Sequence, residues 1–241
     1  MTTKTTPDLP HDDPRKVEAM FGRIARRYDL MNRLLSMGMD GGWRRQAAKE
    51  AALKPGDRAL DVASGTGDLA FEMARYVGKG FVVGSDLTRE MVVIGHQKSL
   101  ARKEKRVDHH VGDAMALPYK DGAFQAATMA FGGRNVPDLT GSFREMARVL
   151  APGGRVVFLE MNRPKLWGFR QLFDFYFHRF SPFMGGLISG DRSAYEYLPR
   201  SVDNFESVEE IANCMRAAGL VDIRIHPFMF GATNLHIGRK P

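Results

Sequence analysis

Between residues 58 and 161 short apolar runs alternate with helical patterns, and that rhythm restricts the chain to few architectures. The runs at 58–63, 80–86, 107–112, 124–130 and 155–161 have strand length and are bounded by turn residues. Helical stretches at 68–77, 89–103 and 142–150 separate most of them. Strands joined by helical crossovers imply a mostly parallel sheet covered by helices. The last third changes character. Ser207 and Glu210 form a capping-box pattern that opens a helix to about Ala218, with Gly219 as its stop. Runs at 221–228 and 233–238, joined by a short turn at Gly231, predict an antiparallel hairpin and a seven-stranded sheet. Ahead of the sheet, Val17, Met20, Phe21, Ile24 and Tyr28 keep the i, i+3, i+4, i+7 rhythm of one apolar helix face.

Length adds the domain count. A chain of 241 residues with 44% apolar and 26% charged residues reads as one α/β domain. We divide it into a disordered tail at 1–13, a helical cap at 14–54, a ligand-binding core at 55–161 and substrate-side helices with the hairpin at 162–241. No apolar run reaches the roughly 20 residues of a membrane-spanning helix. The polar start lacks a secretory pattern, and the single Cys214 excludes an intramolecular disulfide or cysteine-cluster metal site, so a cytoplasmic setting is expected. The adjacent His109 and His110 would point to opposite faces of a strand, a poor chelate; surface or edge positions suit them better, and no metal is expected. Residues 15–58 carry a surplus of six positive charges, a basic segment that fits an anionic membrane surface, nucleic acid or simply a solvated helix face.

The turn after the first strand carries the chemistry. Gly65-x-Gly67-x-x-Ala70 allows a ligand to approach the backbone where side chains would block it, and formally matches a dinucleotide fingerprint. A pyrophosphate at the following helix would meet Asp61 and Asp68, two unfavourable carboxylates. A ligand with a sulfonium and an ammonium reverses that sign, and S-adenosylmethionine is such a ligand. Asp86 ends the second strand, placed to accept hydrogen bonds from ribose hydroxyls. Asp113 ends the third, where it suits an exocyclic adenine amine, with the Ala114 N–H for a ring nitrogen. Any one aspartate is explained by a cap or turn. Three at successive strand ends converge on the crevice where open α/β sheets bind ligands.

These segments resemble a known family. Asp61-Val62-Ala63-Ser64-Gly65-Thr66-Gly67-Asp68 resembles the first motif of class I methyltransferases. Tyr28-Asp29-Leu30-Met31-Asn32, Ser36-Met37-Gly38 with Trp43-Arg44-Arg45, and Phe131-Gly132-Gly133-Arg134-Asn135-Val136 narrow the likeness to the ubiquinone/menaquinone biosynthesis C-methyltransferases. Ser193-Ala194-Tyr195-Glu196-Tyr197-Leu198 and Leu235-His236-x-Gly238 continue it, in register from about residue 17 onward. Gly133 departs from an aliphatic residue usual in its motif. Ala130 replaces a cofactor-contacting serine of some relatives, and 231–234 is more polar than usual.

The resemblance implies a class I methyltransferase Rossmann-like fold. It also implies S-adenosylmethionine held by Asp61, Gly65, Thr66, Gly67, Asp68, Asp86, Asp113 and Ala114. The acceptor it implies is the ring of a polyprenyl quinol, demethylmenaquinol first and a benzoquinol of the ubiquinone pathway as the alternative. Arg134, which would stabilise a phenolate or position a water, and Asn135 and Tyr28 are the catalytic candidates. Asn32 and His236 are candidates for substrate contact. For Arg134 the rival reading is a structural ion pair, and for Asp29 and Asn32 it is helix termination. Eight of the 24 aromatics crowd between Trp167 and Phe183 beside Arg163, Lys165, Arg170 and Arg179, which suits peripheral membrane contact and an isoprenoid tail. The oligomeric state stays open, a homo-oligomer included. A nicotinamide oxidoreductase is disfavoured by the Asp61/Asp68 pair, and a nucleic-acid module by aromatics lying apart from the basic stretch.

Overall fold

A computed structural model describes residues 14–180 and 192–241, with side chains from 15 to 179 and from 197 onward. The tail at 1–13, Phe183 and the side chains of Ser193 to Glu196 lie outside the described residues. Seven strands form one sheet: β1 (Arg58–Val62), β2 (Phe81–Asp86), β3 (Val107–Val111), β4 (Phe124–Ala130), β5 (Leu150–Met161), β6 (Val221–Phe228) and β7 (Thr233–Arg239). Their order is β3-β2-β1-β4-β5-β7-β6. The first five run parallel, and β7 pairs antiparallel with both β5 and β6. The anticipated hairpin finish is therefore present. The order reverses between β1 and β4, which opens a crevice at the carboxyl ends of those strands.

Helices cover both faces: α1 (Pro14–Leu35), α2 (Asp40–Glu50), α3 (Asp68–Ala74), α4 (Arg89–Arg102), α5 (Leu139–Val149), α6 (Trp167–Phe175), α7 (Arg192–Asp203) and α8 (Val208–Ala217). Phe143 and Met146 of α5 join Ile211 and Met215 of α8 over Leu60, Val62 and Phe158 on one face. Ala47 and Ala48 of α2 join Leu69 and Met73 of α3 over Ala59, Val82 and Leu235 on the other. Strand alternation thus sends Leu60 to the first core and leaves Asp61 on the α2/α3 side with Ala59. The Ser207/Glu210 capping box forms with both of its hydrogen bonds.

Three expectations are corrected. α1 runs through Asp29 and Asn32 to Leu35, so neither residue terminates it. α3 closes at Ala74, shorter than its apolar rhythm suggests. The helix read at 142–150 starts at Leu139, because the Asp138 carboxylate caps it by accepting the Gly141 N–H at 2.9 Å.

Candidate active site

The loop after β1 is shaped by two glycines in the left-handed backbone region. Gly65 (φ +55°) donates its N–H to Asp86 Oδ2 at 2.7 Å, which ties the loop to the end of β2. Gly67 (φ +86°) is buried at the start of α3, and a Cβ there would stand 2.5 Å from His109 Cε1. His109 thus lies on the edge strand β3, as expected, but its side chain is not on the surface. It is buried beneath the loop, bonded to Ser99 Oγ at 3.1 Å through Nε2, and burial pushes its pKa down to about 4. His110, on the opposite face, lies beside the Tyr119 hydroxyl at 3.2 Å. Bulk at position 109 shapes the loop.

The carboxylates differ sharply in their surroundings. β1 pairs with β4 so that Asp61 faces Thr128, whose hydroxyl donates to Asp61 Oδ1 at 2.7 Å. Asp61 Oδ2 is buried without a hydrogen-bond partner, and the residue is 1% exposed. Burial raises the Asp61 pKa to about 7, although Thr128, Arg44 and the Ala70 N–H pull it back. A buried carboxylate oxygen of this kind is costly to leave unpaired, and a cation or donor beside it would offset that cost. Asp86 Oδ1 and Oδ2 accept the Thr88 and Gly65 N–H groups; burial raises this carboxyl as well. Each oxygen keeps a lone pair for a hydroxyl donor. Asp113 accepts the Met115 N–H at 2.9 Å and lines the crevice together with Ala114 and Asp86.

Asp68 has a different occupation. Burial would raise its carboxyl, yet Lys98 at 2.8 Å holds it below the usual carboxylate range. Lys98 also meets Asp29 at 2.6 Å and donates to Thr66 Oγ1 at 2.7 Å, while Thr66 donates to Asp29 Oδ1 at 2.5 Å. This Asp29–Thr66–Lys98–Asp68 cluster fastens α1 to the glycine loop and α4. Acidic repulsion of an anion therefore falls to Asp61 alone, since Lys98 answers Asp68. Lys98 escaped the sequence reading because nothing in the spacing of α4 marks one exposed-looking lysine as a latch.

Three adjoining cavities open at the strand ends. A crevice bounded by Phe21, Tyr28, Gly65, Asp86, Asp113 and Ala114 leads into a small polar recess around Asp61, Ser64, Thr66 and Asp68. Tyr28 and Gly65 wall both, and the Tyr28 ring lies over Gly65. Burial raises the Tyr28 hydroxyl, against a hydrogen bond with Asn32 and the charges of Arg134 and Arg44. The third cavity, of about 300 Å³, is apolar: Met37, Trp43, Met161, Phe169, Phe173, Phe177 and Met229 contribute, along with Asn32. Phe131 divides it from the crevice, its backbone held at φ +59°.

Two buried arginines break the apolar lining. Arg134 lies in a single 3₁₀ turn, Gly133–Asn135, after β4 and pairs through Nη1 with the fully buried Glu160 of β5; its Nε has no hydrogen-bond partner. The structural ion pair is thus present, and the same guanidinium still reaches the cavity wall. Arg44 of α2 pairs with Asp40 and sits 5.3 Å from the Phe131 ring. Asn135 lines the crevice instead, and its Oδ1 accepts from the Tyr197 hydroxyl at 2.8 Å. His236 stands apart. It is fully buried under α8, with Nε2 3.0 Å from the Val208 carbonyl, and lines none of the three cavities.

The departures from the family pattern have local causes. A Cβ on Gly133 would stand 2.3 Å from Phe158 Cζ, so the large ring has taken the volume an aliphatic side chain would use. Asn234 donates to Asn162 Oδ1 at 3.0 Å and to the Gly231 carbonyl at 2.8 Å, which makes the polar run at 231–234 a brace for the cavity wall. Ala130 lines the polar recess.

Fold and site together define a class I methyltransferase. Similar folds occur in the [4+2]-cyclase SpnF (TM-score 0.67, 20% identity, 95% of this chain and 96% of that one). They occur also in a SAM-dependent methyltransferase, possible histamine N-methyltransferase, from Thermotoga maritima (TM-score 0.65, 20% identity, 92% and 99%). Those likenesses speak for the fold alone. Sequence goes further. Residues 11–240 match the ubiE/COQ5 methyltransferase family, and the chain belongs to that family. The demethylmenaquinone methyltransferase of Deinococcus radiodurans is 43% identical over the whole of both chains, and that of Thermus thermophilus is 46% identical over 92% of this chain and all of its own.

Proposed function

We propose that the protein transfers a methyl group from S-adenosylmethionine to a ring carbon of demethylmenaquinol. The single observation that carries the donor reading is Asp61 Oδ2, a buried acceptor without a partner at the rim of the glycine loop. The donor brings an electrophilic methyl on a positively charged sulfur, and an ammonium. Asp61 and the Gly65–Thr66 loop hold its methionine end, Asp86 its ribose, and Asp113 with the Ala114 N–H its adenine. The residues fit because the recess is acidic and polar while the crevice beside it is bounded by Phe21, Met91 and Val136. The acceptor reading rests on the relatives and on the apolar cavity, whose walls suit a fused aromatic ring with a prenyl tail.

Ring carbon is a weak nucleophile until the adjacent hydroxyl ionises. Its electron pair then spreads to the ortho carbon, forms the new C–C bond, and the methyl–sulfur pair stays on sulfur. As the ring regains aromaticity the carbon's own proton is lost to water and the oxygen recovers the proton that ionisation removed, so one proton net is released per turnover. Arg134, fixed by Glu160, brings positive charge to one ring oxygen; being permanently protonated, it is not the base. Asn32, in the cavity wall, orients the ring, while Asn135, anchored by Tyr197, belongs to the donor crevice. Tyr28, capping Gly65, excludes water from the transfer line.

Delivery from a lipid phase follows from the surface. Trp167 (76% exposed), Phe175 (67%) and Phe230 (69%) are exposed close to cavity-lining residues in the chain, Phe230 also against the ring of Phe169, and Met37 and Leu172 are both exposed and cavity-lining. Exposed Arg163, Lys165, Arg170 and Arg179 accompany them. Among the described residues no helix is long and apolar enough to cross a membrane, so the contact proposed is peripheral. The test is mass analysis of membrane quinones in a strain lacking the protein. Accumulation of a naphthoquinone lighter by one methyl supports the reading, and a normal quinone pool refutes it.

A further inference from the structure

The cavities do not meet symmetrically, and one side chain occupies the seam. Arg44 lines both the polar recess, where the donor's methionine end is placed, and the apolar acceptor cavity. Arg134 lines the acceptor cavity only. Arg44 is 7% exposed, and its hydrogen bonding among the described residues is confined to Nη1 on Asp40. Asp40 is itself fixed by the Ser36 hydroxyl at 2.9 Å. The guanidinium lies against Phe131, the wall between crevice and cavity, so its remaining N–H donors are held at the boundary between donor and acceptor. A 1,4-quinol carries an oxygen at each end of its ring, and the cavity presents two buried guanidiniums, each neutralised by its own acid.

We infer that Arg44 is a catalytic residue that holds the ionising oxygen next to the attacked carbon, while Arg134 holds the opposite oxygen. Resting on the acceptor reading above, this assigns the phenolate charge to the cation nearest the transfer line. The charged and titratable groups facing Arg44 are Asp40 on its own helix, Tyr28 and Asp29 on α1, Asp61 at β1 and Asp68 at α3.

Loss of a cation beside an anionic oxygen raises that group's pKa by about 1 to 2 units. The assay is methyl transfer from S-adenosylmethionine to a short-chain 2-prenyl-1,4-naphthoquinol, with kcat followed from pH 5.5 to 9.5. Arg44→Gln is expected to move the rising limb of the profile up by that amount and to cost about 10- to 100-fold in kcat at pH 7. Arg44→Lys should keep the limb within about half a unit. Because Arg44→Gln alone strands Asp40, the double variant Asp40→Asn/Arg44→Gln separates charge from folding and should show the same displaced limb. Donor affinity, measured by calorimetry, should not weaken in either. An unmoved limb with activity lost at every pH overturns the assignment, as does donor affinity falling in step with kcat. A wild type inactive on both this naphthoquinol and a prenyl-benzoquinol would instead sink the acceptor reading, and the inference with it.

Discussion

The donor crevice and the acceptor cavity are built by different rules. The crevice stands on strand ends: Asp61 lies near the end of β1, Asp86 closes β2 and Asp113 follows β3, with the Gly65 and Thr88 N–H groups on Asp86 and that of Met115 on Asp113. The acceptor cavity has no such frame. Its walls come largely from α1, α2, α6, the turn after β4 and the β6–β7 connection, and its cations are two arginines whose partners, Asp40 and Glu160, lie four and 26 residues away. A site made of consecutive strand ends is a local object, whereas a site made of packed side chains exists only after tertiary folding. Chemistry shared across a superfamily sits on the first, and choice of acceptor on the second.

The largest expected effect breaks the comparison at Arg134. Arg134→Ala should lower kcat by about 10²- to 10³-fold with donor affinity near normal, read by turnover and calorimetry side by side. Equal loss of both would move Arg134 from the acceptor cavity into folding. Next comes Asp61→Asn, which keeps the shape and removes the charge. Donor affinity should fall by about 100-fold, in line with a buried charge pair losing one partner. The donor-free variant should melt no lower than the wild type, because burial disfavours the ionised carboxylate and its Oδ2 has no hydrogen-bond partner.

Smaller effects sharpen the picture. Gly133→Val forces a Cβ against Phe158 and should cost about 1 to 3 kcal/mol of stability, recovered in part by Phe158→Leu; a neutral single variant would show that the ring moves freely. Lys98→Met removes the latch between α1 and the glycine loop. Since its carboxylate partners are about a third exposed, the stability change should stay within about 1 kcal/mol, with faster proteolysis of the α1 segment as the sign of a loosened cap.

Much of the fold was legible because β-strands and crossover helices write their period into the chain. The seven strands, the capping box at Ser207 and the hairpin around Gly231 all follow from local pattern. Boundaries were less so: α3 stops at Ala74 and α1 runs past Asn32, where packing outweighs propensity. Within the site, glycines and aspartates at strand ends stood out. His109 did not, since only the folded loop shows three glycines, Gly67, Gly84 and Gly95, making room for one imidazole. Lys98 and Glu160 were equally silent, because an ion pair between helices, or between a strand and a turn, leaves no periodic mark; Arg44 stood in a motif that did not mark its place in the site. His236, drawn from a motif, turned out to belong to the packing under α8.

Titration of S-adenosylmethionine into the protein at pH 6.5, in two buffers of different ionisation enthalpy, reads the state of Asp61 directly. The free carboxyl, with its pKa raised to about 7, is partly protonated there. A cation beside it favours the ionised form, so binding should release a fraction of a proton, affinity should climb as pH rises through 7, and both effects should vanish in Asp61→Asn. Binding without proton release, release unchanged in Asp61→Asn, or NADH binding in place of the sulfonium would contradict the account.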